Sequence, residues 1–163
     1  MDPQKPTVLI VEDEVVARRN LAHILEKEGY AVVAVSDGEK ALKQLKQGEF
    51  DLVLTDLKMK KVDGMAVLKA SRQYHPFTEV IMITGYATVR SAVAAIQEGA
   101  YNYIAKPYKI DEVRRTAREA ILKRQLRLEN RELKESLKKM EGGQPIIGQS
   151  QAIVAVVRTI RQI

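Results

Sequence analysis

Five short apolar runs punctuate this chain, and the stretches between them carry apolar residues at helical spacing. The runs are Val8-Leu9-Ile10-Val11, Ala31 to Val35, Leu52-Val53-Leu54, Glu79 to Ile83 and Tyr101 to Ile104. A short continuous apolar run bounded by polar residues predicts a strand buried on both faces. After the first run, Val16, Leu21, Ile24 and Leu25 fall on one side of a helix, and Gly29 is a C-cap signal. Ser36-Asp37-Gly38 is a turn, after which Ala41, Leu42 and Leu45 mark a short helix that stops near Gly48. A helix from about Met65 to Tyr74 carries Val67 and Leu68 inward and ends before Pro76. Thr88 to Glu98 is the next helix, with Val89, Val93 and Ile96 at helical spacing and Gly99 as its stop.

Strands that alternate with helices imply parallel βαβ units, and hence an α/β three-layer sandwich. Right-handed crossovers leave few strand orders open. The flavodoxin-like (βα)5 arrangement, order 2-1-3-4-5, is the expected one, with its switch point between the first and third strands. Ligands in such sheets bind outside the carboxyl ends of the strands. Four of the five ends carry a polar candidate: Glu12 and Asp13, Asp56, Thr84, and Lys106. The topology places Glu12-Asp13 beside Asp56.

Composition narrows the class. At 163 residues the chain has room for one ordinary domain and an appendage. No stretch approaches the roughly 20 apolar residues of a membrane span. Met1-Asp2-Pro3-Gln4-Lys5 lacks the basic and apolar regions of a secretion signal. The absence of cysteine excludes disulfides and thiolate metal sites, and the cytoplasm is the expected compartment. His23 and His75 have no metal-type spacing. The net charge of +6 is uneven: residues 1–108 hold 14 basic and 14 acidic side chains, whereas 109–140 hold 11 basic and 6 acidic. Mixed signs along a helix more often mark a solvated or coiled-coil face than a nucleic-acid surface.

The strand ends suggest a chemistry. Three carboxylates brought together repel, which raises their pKa values unless a cation neutralises them. Mg²⁺ suits such a site, since it takes one or two carboxylates, a backbone carbonyl and several waters. A carboxylate oxygen can attack phosphorus and form an acyl phosphate, in a transfer governed by positioning and charge stabilisation. Lys106 offers a point charge for one phosphoryl oxygen, and the Thr84 hydroxyl a hydrogen bond to another. Singly, each feature has an ordinary structural explanation. Glu12-Asp13-Glu14 fits a helix N-terminus, Thr84-Gly85 a turn, Lys106-Pro107 a loop, and Tyr103 a core aromatic. Their joint occurrence is what points to chemistry.

Val11-Glu12-Asp13-Glu14, Asp56 with Asp63-Gly64, Thr84-Gly85 and Tyr103-Ile104-Ala105-Lys106-Pro107 together resemble the response-regulator receiver domain (CheY-like), over residues 7–120. The resemblance implies a two-component response regulator whose Asp56 is phosphorylated by a partner histidine kinase. Asp13 is then a direct Mg²⁺ ligand with Asp56, Glu12 acts largely through water, and the Lys58 backbone carbonyl completes the protein ligands. Thr84 and Tyr103 are the implied switch pair, and Lys106-Pro107 an implied cis peptide. The chain departs from the family at Lys60, where proline is usual, and uses glutamate at Glu12, the longer of the family's two acids. Catalysis is expected only on the chain itself, as phosphoryl transfer to Asp56 and its loss; no other enzymatic activity is expected.

The last helix starts near Asp111 and meets no breaker until Gly142-Gly143, longer than most globular helices. Leu126, Asn130, Leu133, Leu137 and Met140 follow a heptad rhythm in which Asn130 takes an a position, a choice that favours a registered dimer. Domains are expected at 1–120 (receiver), 121–143 (coiled-coil linker) and 144–163. The last segment, with Ile147-Gly148-Gln149-Ser150, resembles the opening of the AAA+ ATPase domain of NtrC-type sigma-54 activators. Neither a Walker A pattern nor a helix-turn-helix is present, so an N-terminal fragment is expected. The implied partners of the whole protein are a histidine kinase, a second copy, the AAA+ domain, sigma-54 RNA polymerase and DNA, with no membrane. Two rivals are a flavodoxin-like small-molecule binder, disfavoured by the lack of a glycine-rich phosphate loop, and a receiver whose basic helix binds DNA or a partner protein.

Overall fold

Each apolar run forms a strand and each amphipathic stretch a helix in the computed structural model, which describes residues 4–142. The strands are β1 (Thr7–Val11), β2 (Ala31–Val35), β3 (Leu52–Thr55), β4 (Glu79–Thr84) and β5 (Asn102–Ala105). They alternate with α1 (Val15–Lys27), α2 (Gly38–Gln47), α3 (Gly64–Tyr74), α4 (Val89–Gln97) and α5 (Ile110–Gly142). All pairings are parallel and the order is β2-β1-β3-β4-β5, the expected flavodoxin-like topology.

Strand alternation feeds two cores, one on each face of the sheet. Val8, Ile10, Leu54 and Ile81 join Leu21 and Leu25 of α1 and Val113 and Ala117 of α5. Leu9, Val11, Val53 and Met82 join Leu45 of α2 and Val67 and Leu68 of α3. Local signals set the helix ends. Asp37 and Asp63 cap α2 and α3 by accepting the N–H groups of Lys40 and Ala66, each at 2.8 Å. Gly29 follows α1 at φ +90°, a left-handed conformation that favours glycine.

Three burial expectations are corrected. β2, at the edge the expected order gives it, is not buried on both faces: Ala31, Val33 and Ala34 are exposed, and only β1 pairs with it. Val16 is exposed on α1. Val89, Val93 and Ile96 of α4 are also exposed, and Ala95 alone is buried from that helix. Spacing identified an apolar stripe there, but not that the sheet takes the helix on its alanine side.

α5 docks in two ways. Val113, Ala117, Ala120 and Ile121 are buried in the first core. Beyond them, cations meet carboxylates at the N-terminal edge of the sheet. Arg124 lies 2.6 Å from Asp51 and 2.7 Å from Glu49. Buried Glu79 receives Arg127 at 3.0 Å and Lys123 at 3.5 Å. Asp51 also accepts the Thr7 N–H at 2.7 Å, which ties β1 to the same cluster. The compact unit that contains the sheet runs to Leu128, and a second unit begins at Glu129. In that second unit residues 129–142 are helical, with an Arg131–Glu135 pair at 3.0 Å. The expected ATPase opening, residues 144–163, lies outside the described residues. No helix among the described residues is long and apolar enough to cross a membrane.

Arg124 is the cation to test, because its side chain is only 10% exposed. Breaking a buried pair from one side typically costs about 3–5 kcal/mol. Its partners reach water in part, so Arg124→Ala should cost about 1–3 kcal/mol. A lower urea midpoint at unchanged m-value is the expected result.

Candidate functional site

The site is a consequence of strand register. β1 and β3 pair with Val11 opposite Thr55, so the next residue of each strand, Glu12 and Asp56, leaves the sheet at the same level. The Asp56 N–H donates to the Val11 carbonyl at 2.9 Å and the Glu12 N–H to the Val35 carbonyl at 3.1 Å, which holds both exits rigidly. At the other side of the edge β5 sets Ala105 opposite Thr84, and the Lys106 N–H donates to the Thr84 carbonyl at 2.9 Å.

Carboxylate oxygens of Glu12, Asp13 and Asp56 lie within 4.8 Å of one another. The Lys106 ammonium donates to Glu12 Oε2 at 2.7 Å and to Asp56 Oδ2 at 3.2 Å. The remaining oxygens take backbone donors: Glu12 Oε1 the N–H of Glu14 at 3.2 Å, and Asp56 Oδ1 the N–H of Lys58 at 3.3 Å. Arg18 Nη1 donates to the Glu12 carbonyl at 2.7 Å and fixes the turn into α1. Glu12 and Asp56 are buried, while Asp13 is exposed.

Burial pushes the Glu12 carboxyl above its ordinary range, against the opposing pull of the Lys106 ammonium and the Glu14 N–H. Burial alone would lower Lys106, but the hydrogen bond and charge of Glu12, together with Asp56, outweigh it and hold the ammonium above the usual lysine value. Glu12 and Asp56 share the Lys106 ammonium, and Asp13 has no ion-pair partner among the described residues. An all-oxygen set with that excess of negative charge fits a hard divalent cation.

The loop after β3 returns onto the site. The Gly64 N–H donates to the Leu57 carbonyl at 2.9 Å, and a Cβ at Gly64 would run into the Asp56 carbonyl oxygen. Only glycine admits so close an approach. Lys60 is exposed, and its carbonyl accepts the Val62 N–H at 2.9 Å. Lys106–Pro107 is cis, as the resemblance implies.

Not every expected residue reaches the cleft. Glu12, Asp13, Asp56, Lys58 and Lys106 line an open cleft of about 800 Å³. Thr84 is buried beneath it, its hydroxyl accepting the Tyr86 N–H at 3.1 Å. Tyr103 is half-buried and its hydroxyl lies 2.7 Å from Ser91 Oγ on α4. On α5, Leu126, Asn130, Leu133 and Met140 are exposed and Leu137 is half-buried. Two residues were missed from sequence. Tyr86 lines the cleft with its ring 4.1 Å beneath the Lys58 ammonium, and nothing in its spacing announces this. Ser91 stands three residues after Thr88, a capping-box spacing that was available and unused.

Fold and site together define an α/β domain with an acidic edge whose carboxylates could hold a metal ion. Residues 8–118 match the family model for the response regulator receiver domain, and the chain belongs to that family. It is 32% identical over 158 residues to the C4-dicarboxylate transport transcriptional regulatory protein DctD of Rhizobium meliloti, covering 97% of this chain and 34% of that protein. The crystal structure of NtrX from Brucella abortus superposes with a TM-score of 0.75 at 30% identity, over 98% of this chain and 35% of that one. A CheY-like receiver domain from Methanospirillum hungatei gives a TM-score of 0.73 at 27% identity, over 76% of this chain and 99% of that one. The chain spans about a third of the length of the curated relatives DctD and AlgB.

The Glu12–Lys106 pair makes a signed prediction for metal-free protein. The raised Lys106 value means that its contribution to stability is fully present below 10.5 and is lost as pH rises through its folded value. Lys106→Met removes that alkaline loss. It also removes the pull that opposes burial at Glu12, so the Glu12 carboxyl should titrate higher than in the wild type. Stability of the variant should then fall as pH climbs from 4.5 through that higher value. Side-chain carboxyl NMR titration with chelator present reads both directions.

Proposed function

We propose that this chain is the phosphoacceptor module of a two-component response regulator, in which Mg²⁺-dependent phosphorylation of Asp56 by a histidine kinase switches dimerisation. The observation that carries the reading is the convergence of the Glu12, Asp13 and Asp56 carboxylate oxygens to within 4.8 Å of one another, with Glu12 and Asp56 both paired to the Lys106 ammonium. An Asp56 carboxylate oxygen attacks the phosphorus of a kinase phosphohistidine. The new O–P bond makes an acyl phosphate, the P–N bond breaks, and its electron pair returns to the imidazole. Asp13, Asp56, the Lys58 carbonyl and, less directly, Glu12 would hold Mg²⁺, which when bound would supply charge neutralisation for the phosphoryl oxygens. Lys106 moves from its two carboxylates to a phosphoryl oxygen, and the Thr84 hydroxyl turns from the Tyr86 N–H to another. Tyr103 then rotates into the space that Thr84 leaves, and the phosphate charge becomes a change of surface.

The exposed positions on α5 support a dimer as the output. Leu126, Leu133, Leu137 and Met140 are apolar, and burying four such side chains contributes on the order of 5–10 kcal/mol before ordering costs. The pair is therefore marginal and easily biased. The rival DNA-binding reading is weakened by the helix's own charges: Arg114, Arg118, Lys123, Arg124, Arg127 and Arg131 are all paired with carboxylates. Residues 121–143 then act as a linker to an AAA+ ATPase that works with sigma-54 RNA polymerase on DNA, in the cytoplasm. The name of DctD, a transcriptional regulatory protein, and an alignment that extends past the receiver support that placement.

With Mg²⁺ and acetyl phosphate, the protein should gain one acid-labile phosphoryl group on Asp56, and Asp56→Asn should gain none. Asp13→Asn should abolish labelling by removing a direct ligand. Label that persists in Asp56→Asn overturns the assignment. For the output, Leu133→Asp should weaken self-association by tenfold or more in sedimentation equilibrium, a change of at least about 1.4 kcal/mol. A monomeric wild type at tens of micromolar, with and without phosphate, refutes the dimer.

A further inference from the structure

Ser91 makes more contacts than a helix cap requires. As the third residue of α4 it takes part in a reciprocal capping box with Thr88. The Thr88 N–H donates to Ser91 Oγ at 3.1 Å, and Ser91 Oγ donates to the Thr88 carbonyl at 3.0 Å. A serine hydroxyl has one proton and two lone pairs. The Thr88 hydroxyl also donates to Ser91 Oγ, at 2.9 Å, so Thr88 meets that oxygen from its N–H, its hydroxyl and its carbonyl. The Tyr103 hydroxyl lies 2.7 Å from the same oxygen, in a hydrogen bond that either hydroxyl can donate. Tyr103 belongs to β5, opposite Met82 of β4, and its ring packs against the core cluster that contains Ala95 of α4. The same hydroxyl oxygen thus holds the start of α4 and the end of the Tyr103 side chain.

We propose that Ser91 is a positioning residue that sets the resting state of the switch: its hydrogen bond holds Tyr103 against the first turn of α4 and opposes rotation of the ring. This inference rests on the reading of Asp56 as a phosphoacceptor coupled to Thr84 and Tyr103. Rotation forfeits the Ser91 bond, so the bond weights the equilibrium toward the unphosphorylated arrangement. It also links the two events at the surface. When Tyr103 leaves, Ser91 Oγ keeps only Thr88 as a partner, and the end of α4 beside the exposed Gly85–Thr88 loop loses its tie to β5. One neutral hydrogen bond shifts such an equilibrium by about two- to tenfold.

The test is the apparent affinity of the full chain, with Mg²⁺, for beryllofluoride, which stands in for the phosphoryl group on Asp56. Affinity for a ligand of the switched state rises in proportion to the population of that state. Ser91→Ala should bind about two- to tenfold more tightly, and its resting amide shifts over residues 87–95 and 101–104 should move toward the wild-type beryllofluoride positions. Tyr103→Phe leaves the capping box intact and removes only the latch, so it should tighten binding by a similar factor. The double variant should gain no more than either single one, and Ser91→Thr, which keeps the hydroxyl, should behave as wild type. Unchanged affinity in Tyr103→Phe, or additive effects in the double variant, reduces Ser91 to a helix cap and overturns the proposal. A wild type that gives no beryllofluoride shift instead sinks the phosphoacceptor reading, and this inference with it.

Discussion

Two buried carboxylates and one lysine set the terms for the C-terminal edge of this sheet. Glu12 and Asp56 are forced together because β1 and β3 run parallel with Val11 opposite Thr55. Their charges repel, and burial worsens the cost at Glu12. Lys106 offsets much of it by reaching both from the far side of the edge, at 2.7 and 3.2 Å. A third acid, Asp13, remains without an ion-pair partner among the described residues. The edge is held with an excess of negative charge that a metal ion could neutralise.

The opposite edge shows what a fully compensated charge cluster looks like. There Glu49, Asp51 and Glu79 meet Lys123, Arg124 and Arg127, three acids against three cations. At the C-terminal edge Lys106 is ion-paired with Glu12 and Asp56, and the adjacent Asp13 has no ion-pair partner among the described residues. The same kind of contact therefore performs two tasks. Balanced, it fastens the later turns of α5 to the sheet; unbalanced, it leaves a site with excess negative charge. Ion-pair compensation, rather than the presence of acids, distinguishes the two edges.

Apolar exposure follows a similar division. The first turns of α5 bury Val113, Ala117, Ala120 and Ile121, whereas Leu126, Leu133 and Met140 are exposed on the same helix. α4 leaves Val89, Val93 and Ile96 exposed and seats itself on Ala95. A helix with one small buried residue and a hydroxyl bridge to β5 has few buried apolar contacts, the character of a segment that can shift at low cost.

Much of this was readable from residue order alone. Alternating strand and helix periods led to the parallel sheet and its order, since crossover handedness leaves few choices, and strand ends in such a sheet converge on one edge. Glu12, Asp13, Asp56 and Lys106 could be named because each is the polar residue that ends an apolar run or follows it closely. Periodicity could not say which side of α4 meets the sheet, nor that Ala31, Val33 and Ala34 of β2 are exposed, because both depend on what packs alongside. Nor could it pair Lys106 with Glu12, 94 residues away, Arg124 with Asp51, 73 away, or Tyr103 with Ser91, 12 away. Backbone patterning is local and repeats along the chain, so it survives in one dimension. Charge compensation and hydroxyl bridges join groups distant in sequence across a few ångströms, and only the folded chain brings them together.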